Sequence, residues 1–188
     1  MTEQTDSAGW GALDSLPGNP LLWVLIISEL LVFGAFFTAF SAAEAFHPAL
    51  FAAAQARLDR VAGGINTMLL LSSGLAAAMA LKARSEDKVG RCRLWLAAAA
   101  TLGIGFLVVK GMEYADHAAH GITLDTNDFF TLFYLMTGFH ALHVVLGLVL
   151  LAVAGWKCSI ENVETGTAFW HMVDLIWVLL YPILYLIR

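Results

Sequence analysis

The stretch 129–156, FFTLFYLMTGFHALHVVLGLVLLAVAGW, contains no Asp, Glu, Lys or Arg. An α-helix needs about 20 predominantly apolar residues to cross the ~30 Å hydrocarbon core of a bilayer. The stretch is longer than this minimum, and His140 and His143 are the most polar side chains near its centre. It therefore predicts a transmembrane helix that carries two histidines into the membrane.

Four further stretches of the chain have the same apolar character. The five predicted spans are 21–43, 61–81, 92–112, 129–156 and 165–187. We therefore predict an all-α integral membrane protein, a bundle of five transmembrane helices in one domain, 21–188, after a short polar tail, 1–20. The tail has acidic residues where a secretory signal would have basic ones, so no signal peptide is expected.

The composition supports a membrane protein and excludes several other classes. Hydrophobic residues make up 60% of the chain and charged residues 13%, with a mean hydropathy of +0.76, values outside the range of ordinary soluble domains. A net charge of -5 excludes nucleic acid as a partner. Cys92 and Cys158 form no disulfide framework, and no nucleotide-binding or zinc-protease motif occurs.

The basic residues predict the orientation of the bundle. Five of them lie in the connection between the second and third spans. The basic residues on that side are Lys82, Arg84, Lys88, Arg91, Arg93 and Lys157, and those on the other side are Arg57, Arg60, Lys110 and Arg188. Because basic loops stay in the cytoplasm, we expect a cytoplasmic N-terminus and a periplasmic C-terminus.

Ionisable residues within the spans are costly in hydrocarbon unless they face protein, lipid head groups or water. At a rise of 1.5 Å per residue, several of them fall at a similar depth in the inner half of the membrane. They predict one intramembrane polar layer formed by Glu29, His140, His143, His171 and Asp174. We interpret it first as structural hydrogen bonding. A proton relay at Glu29, a lipid head-group site and a bis-histidine haem remain alternatives.

A second polar cluster lies where the third span ends. Its spacing of i, i+3, i+4 and i+7 places four side chains on one helical face, as in some metal sites. The four residues are Glu113, Asp116, His117 and His120. A solvated helix end that stops at Gly121 is the favoured interpretation, so no metal or other cofactor is expected in this chain.

Several motifs resemble those of a known family. Residues 137–144, TGFHALHV, are similar to the TGFHxLHV signature of subunit III of haem-copper respiratory oxidases, and 169–177, FWHMVDLIW, to the WHxVDxxW of its last helix. Further landmarks match in the same order at Ser28-Glu29, Asn66-Thr67 and Glu113-Tyr114. The resemblance extends over about 20–188.

The resemblance implies a five-helix member of a family whose longest forms have seven helices. Such a subunit carries no haem or copper, packs on the catalytic haem-bearing large membrane subunit, holds membrane phospholipids in a cleft and supports proton uptake and stable turnover. Glu29 matches the family's carbodiimide-reactive membrane glutamate. The expected location is the bacterial inner membrane, with multiple spans.

Two stretches resemble one branch of the family more than the others. Residues 17–23, PGNPLLW, and 179–186, LLYPILYL, look most like NorE, the subunit-III-like protein associated with nitric oxide reductase in denitrification. We therefore expect a non-catalytic subunit of a nitric oxide reductase. Subunit III of a cytochrome c or quinol oxidase is the first alternative, and a proton-linked carrier or small cytochrome b is the second. Pro182 departs from the family pattern.

Overall fold

The computed structural model describes residues 20–187, and every regular element in that part is helical. The helices are α1 (Pro20–Phe46), α2 (Pro48–Gln55), α3 (Arg60–Ser85), α4 (Val89–Ala119), α5 (Asp128–Lys157) and α6 (Ile160–Tyr181), followed by a π-helical turn (Pro182–Leu186). Five of these elements are long and apolar enough to cross a membrane. The prediction of an all-helical, five-span protein is confirmed. Residues 1–19 of the predicted tail and Arg188 lie outside the described residues.

The helix ends follow from local side-chain chemistry. Asp59, Asn127 and Ser159 precede α3, α5 and α6, and each accepts hydrogen bonds from backbone N–H groups of the first turn. These caps satisfy donors that have no partner within the helix. Beyond the end of α4, Gly121 has a positive φ of 70°, a conformation that glycine adopts without steric cost. The predicted stop at Gly121 is confirmed.

The first four spanning helices are longer than the predicted spans, and the last is longer when α6 and the π-helical turn are taken together, Ile160–Leu186. The difference is largest at α4, which begins at Val89 and continues to Ala119, whereas the predicted span covers 92–112. Hydropathy marks only the part of a helix that lies in hydrocarbon, and the helix continues through the head-group region.

The short helix α2 was not predicted. Pro48 occupies its first turn, where a missing N–H costs nothing. The ring of Phe51 is buried, with its centroid 5.2 Å from that of Phe40 and 5.5 Å from that of Phe129. This helix therefore closes the end of the bundle between α1 and α5.

The indole of Trp170 in α6 lies at the centre of the bundle. Gly103 of α4 and Gly147 of α5 pack against it, and a Cβ at either position would lie 2.6 Å from the ring. The indole N–H donates to Ser73 Oγ at 2.9 Å, and Ser73 donates to the carbonyl of Ala99 at 2.7 Å. The four helices α3 to α6 therefore meet at one buried side chain.

Helix α1 lies at the edge of this core and is the most exposed of the five spans. Its inward face packs on α5 through aromatic rings: Phe33 and Phe36 lie 5.4 and 5.8 Å from Phe139. The opposite face, including Leu31, is exposed. Glu29 lies one turn before Phe33, so this acid is next to the aromatic contacts that attach α1 to α5.

The last span ends in the π-helical turn. Pro182 lacks an N–H, and its carbonyl accepts from the N–H of Ile187 at 2.9 Å. The carbonyl of Ile183 accepts from Gln55 Nε2 at 3.2 Å. The turn places Tyr185 in the core, where its side chain is buried. Pro182 thus begins a segment that is tied to both α2 and the core.

Candidate functional site

Glu29 of α1 and His143 of α5 form a contact within the membrane-spanning part of the bundle. His143 Nε2 lies 3.0 Å from Glu29 Oε2, and the two side chains are 10% and 17% exposed. Glu29 Oε2 is buried, and no hydrogen-bond donor in the described part of the chain is aligned on it. The two side chains therefore meet across the interface between α1 and α5.

The second ring nitrogen of His143 fixes its protonation pattern. His143 Nδ1 lies 2.8 Å from the carbonyl of Phe139, and because a carbonyl only accepts, Nδ1 must carry a hydrogen. Nε2 then faces Glu29 either as an N–H of an imidazolium or as an acceptor for a protonated carboxyl group. In both cases one proton lies between the two side chains. The pair is therefore a proton-holding contact that joins α1 to α5.

His171 and Asp174 form a second pair, one turn apart on α6. Asp174 is buried and His171 is half-exposed, with 3.8 Å between His171 Nδ1 and Asp174 Oδ2. This distance is too long for a hydrogen bond. Gly74 of α3 packs directly on the carboxyl group, and a Cβ there would collide with it. Asp174 therefore occupies a space that exists only because α3 has a glycine at this point.

His140 makes no contact with either acid. Its Nε2 lies 3.1 Å from the carbonyl of Val173, and the ring packs between Phe106 and Trp177, at 5.5 and 5.2 Å. Residues 20–187 show no hydrogen bond or ion pair between the Glu29 pair and the Asp174 pair. The structure thus resolves the predicted polar layer into two separate acid–histidine pairs and one histidine bound to the α6 backbone.

The cluster at the end of α4 is also divided. Glu113 and His117 are buried against the other helices, whereas Asp116 and His120 are exposed, with His120 Nδ1 3.5 Å from Asp116 Oδ1. Glu113, Asp116 and His117 line one cleft between α3 and α4, and His120 is not among its lining residues. The described residues contain no group of three or more His, Cys, Asp or Glu side chains that could hold a metal ion.

The most extensive polar contact in the core was not predicted. Lys110 Nζ donates to Glu113 Oε2 and to the hydroxyl oxygen of Tyr185, each at 2.8 Å, and the Tyr185 hydroxyl donates to Glu113 Oε1 at 2.7 Å. All three side chains are buried. Lys110 Nζ also lies 4.6 Å from the ring centroid of Phe133 and 5.3 Å from that of Trp177, within the range of cation–π attraction.

The prediction that Lys110 is a basic residue at the membrane surface is wrong, because its side chain is buried in this cluster. The structure buries its ammonium group and neutralises it within the bundle, so three basic residues, Arg57, Arg60 and Arg188, remain on that side of the charge count. The signal in the sequence was the i, i+3 spacing of Lys110 and Glu113 on one helix.

The neighbouring landmark Glu113-Tyr114 connects this cluster to α5. The hydroxyl of Tyr114 lies 2.6 Å from Thr137 Oγ1, and Thr137 donates to the carbonyl of Phe133. Thr137 is the first residue of the TGFHALHV motif that also contains His140 and His143. Two separate motifs of the sequence therefore meet in one contact between α4 and α5.

The comparison with known sequences identifies the family. The sequence model of cytochrome c oxidase subunit III matches residues 19–187, which include all five spans. The chain belongs to this family. The resemblance inferred from the motifs is thereby confirmed.

Curated relatives of this subunit III family member include proteins from three organisms. Cytochrome c oxidase subunit 3 of Thermostichus vulcanus is 33% identical over 88% of this chain and 85% of its own length. The corresponding protein of Synechocystis sp. is 32% identical over 87% of the chain and 73% of its own length. That of Neurospora crassa is 32% identical over 86% and 64%. These relatives are named as cytochrome c oxidase subunits, and the nitric oxide reductase branch gains no support from them.

Proposed function

We propose that this chain is subunit III of an oxygen-reducing haem-copper oxidase, a membrane subunit that has no redox centre of its own. The observation that carries the proposal is the match to the subunit III family over residues 19–187. Relatives of similar length bear the name of cytochrome c oxidase subunit 3. Its partner would be the catalytic haem-bearing large subunit of the same complex, in the bacterial inner membrane.

In this proposal the Glu29–His143 contact stabilises the shape of the subunit. It joins the most exposed helix, α1, to α5 at a point where the aromatic contacts of Phe33 and Phe36 also converge. A displaced α1 would change the surface that the subunit offers to the large subunit and to lipid. The role is to support assembly and stable turnover, with phospholipid bound along the bundle and the N-terminus in the cytoplasm.

Purification of the tagged full chain from its native membrane in a mild detergent tests the proposal. We expect a haem-rich large subunit to co-purify, and the complex to reduce oxygen with a reduced cytochrome c or quinol as donor. Oxygen and nitric oxide consumption are measured on the same preparation. Recovery of the chain alone, without a haem-bearing partner, would contradict the proposal.

The same preparation distinguishes the alternatives. Co-purification with a nitric oxide reductase would favour the branch indicated by residues 179–186, where the chain has its π-helical turn. A Soret band on the isolated chain would identify a small cytochrome b. A colourless chain that transports protons without a partner would identify a carrier.

A further inference from the structure

Cys92 and Cys158 are the two cysteines of the chain, and both are free and buried. Cys92 closes the first turn of α4, and Cys158 caps the C-terminal end of α5. The thiol group of Cys92 makes a side-chain hydrogen bond with that of Cys158. Two thiols that are far apart in sequence therefore face each other at one end of the bundle.

The packing of α4 against α5 brings the two cysteines together independently of that hydrogen bond. Near the end of α4, the hydroxyl of Tyr114 lies 2.6 Å from Oγ1 of Thr137, near the start of α5. Towards the other end of both helices, a Cβ on Gly155 of α5 would lie 3.8 Å from Cδ1 of Leu96 in α4. The helices are therefore antiparallel. The first cysteine precedes Leu96 by one turn and the second follows Gly155 by one turn, so both lie on the contacting faces at the same level of the interface.

Two arginines hold the end of α5 in this position. Arg84 of α3 donates from Nε to the carbonyl of Cys158 at 2.7 Å. Arg93 of α4 donates to the carbonyls of Gly155 and Trp156, at 3.1 and 3.3 Å. The last carbonyls of a helix lack partners within it, and the arginines supply them here. The backbone that carries Cys158 is therefore fixed close to the start of α4.

The pair lies at a polar end of the bundle. Lys157 directly precedes Cys158 and is exposed, and Arg84 pairs with the exposed Asp87 at 2.6 Å. Cys158 is 5% exposed, whereas Cys92 is 0% exposed. Oxidation of a thiol follows its exposure, and so small an opening favours a small, uncharged oxidant over bulky thiol reagents. Cys158 is therefore the thiol that meets the oxidant, with Cys92 behind it.

We propose that Cys92 and Cys158 are a site of reversible oxidation by hydrogen peroxide, at which an internal disulfide fastens the start of α4 to the end of α5. In the first step the sulfur of Cys158 attacks one oxygen of the peroxide. The O–O bond breaks, Cys158 becomes a sulfenic acid, and its thiol proton leaves with the departing hydroxide as water. In the second step the sulfur of Cys92 attacks the sulfenic sulfur. The S–S bond forms, the S–O bond breaks, and the hydroxyl group leaves with the Cys92 proton as water. The two thiols lose two electrons in all, and one peroxide is reduced to two waters.

The contact between the two thiols favours this internal reaction over the competing ones. Because Cys92 is held beside the sulfenic acid, it reacts at a high effective concentration, before a second peroxide can oxidise Cys158 further. The burial of both sulfurs keeps a thiol of another chain away. The disulfide closes a loop that contains most of α4 and all of α5, so it restricts the unfolded chain. The site uses residues of α3, α4 and α5 and does not depend on the proposed oxidase assignment.

Peroxide treatment of the purified full chain in mild detergent tests the site. The chain is first reduced with a phosphine and desalted, and after treatment it is denatured, blocked with N-ethylmaleimide and digested without reductant. We expect one peptide pair joined through Cys92 and Cys158 as the main product, seen by mass spectrometry. Both maleimide-reactive thiols should be lost together, and dithiothreitol should restore both. The chain has no other cysteine, so the thiol count reports on this pair alone.

A matched variant with two thiols in a different arrangement provides the control. Trp156 is 85% exposed, so Trp156→Cys combined with Cys158→Ser moves the second thiol to the outer surface of the same helix end. Once size-exclusion chromatography shows it to be monodisperse, this variant should form the internal disulfide at least severalfold more slowly than the parent chain. Survival of both thiols in the parent chain, sulfinic or sulfonic acid without a disulfide, a disulfide between two chains, or equally fast cross-linking in the control would overturn the proposal.

Discussion

Glu29 and Glu113 are both acids buried in a membrane bundle, but their surroundings differ. Both oxygens of Glu113 accept hydrogen bonds, its side chain is 4% exposed, and its principal partner lies on the same helix. Glu29 is 17% exposed, and among residues 20–187 its close polar contact is His143, on another helix. Glu113 belongs to a complete structural cluster, whereas the Glu29 contact depends on how α1 is placed.

The difference lies in how each carboxylate replaces its lost hydration. A buried charge is tolerated when geometry is good and the remaining hydrogen-bonding capacity is satisfied. Lys110 and Tyr185 satisfy Glu113 in this way, and the aromatic rings around Lys110 offset part of the cost of burying its ammonium group. The partner of Glu29 is one histidine on another helix, and no second hydrogen-bonding side chain of the described residues completes the contact. The lesson is that residue type and depth do not by themselves give the role of a membrane acid.

The largest effect is expected from Lys110→Met. Removing one partner of a buried ion pair leaves an uncompensated charge, at a cost of about 3–5 kcal/mol. Unfolding of the purified chain in mixed detergent micelles measures the loss. The double variant Lys110→Met, Glu113→Leu should recover most of it, because neither charge then remains. If Lys110→Met alone were as stable as the parent chain, the buried ion pair would not distinguish Glu113 from Glu29.

A smaller loss is expected from Tyr185→Phe. The ring and its packing are kept, but Glu113 Oε1 and Lys110 Nζ each lose a hydrogen-bond partner, at about 1–3 kcal/mol. The same unfolding measurement applies, with Tyr181→Phe as control because the Tyr181 hydroxyl is at the exposed surface. Equal losses in the two variants would show that the buried hydroxyl has no special role.

Substitution of Glu29 should affect assembly more than the stability of the core. Glu29→Ala leaves His143 Nε2 without its partner, at roughly 1–3 kcal/mol, and should loosen α1 so that less large subunit co-purifies. Glu29→Gln can donate an amide N–H to a neutral His143, so assembly and turnover should be almost normal. Normal assembly with slow turnover in Glu29→Gln would instead mean that Glu29 changes protonation during the reaction.

The smallest perturbation is chemical labelling. A hydrophobic carbodiimide reacts with carboxyl groups that it can reach from the membrane. Because Glu29 is 17% exposed and Glu113 is 4% exposed with both oxygens hydrogen-bonded, we expect it to modify Glu29 and to leave Glu113 unmodified. Peptide mass spectrometry locates the label, and Glu29→Gln provides the blank. Label on Glu113, or none on Glu29 in the parent chain, would contradict the conclusion that Glu113 is enclosed and Glu29 is accessible.

The five spans could be predicted from hydropathy because the cost of polar residues accumulates over a long segment. The contact of Glu29 with His143 agrees with the similar depth that the helical rise assigns to both. The Lys110 cluster was missed because a basic residue near the end of a span normally marks the membrane surface, and Tyr185 follows Lys110 by 75 residues. Packing in three dimensions, rather than any local pattern, brings that hydroxyl to the ion pair.

The position of Lys110 and Glu113 on one helix has a consequence for biosynthesis. Helices leave the ribosome in chain order, and these two side chains are one turn apart in α4, so they can pair while α5 and α6 are still being made. The charge pair thus enters the lipid already neutralised, which lowers the cost of inserting α4. Glu29 has no such neighbour on α1. Its partner His143 is synthesised more than half a chain later. Glu29 therefore has no histidine partner in the membrane until α5 has been inserted.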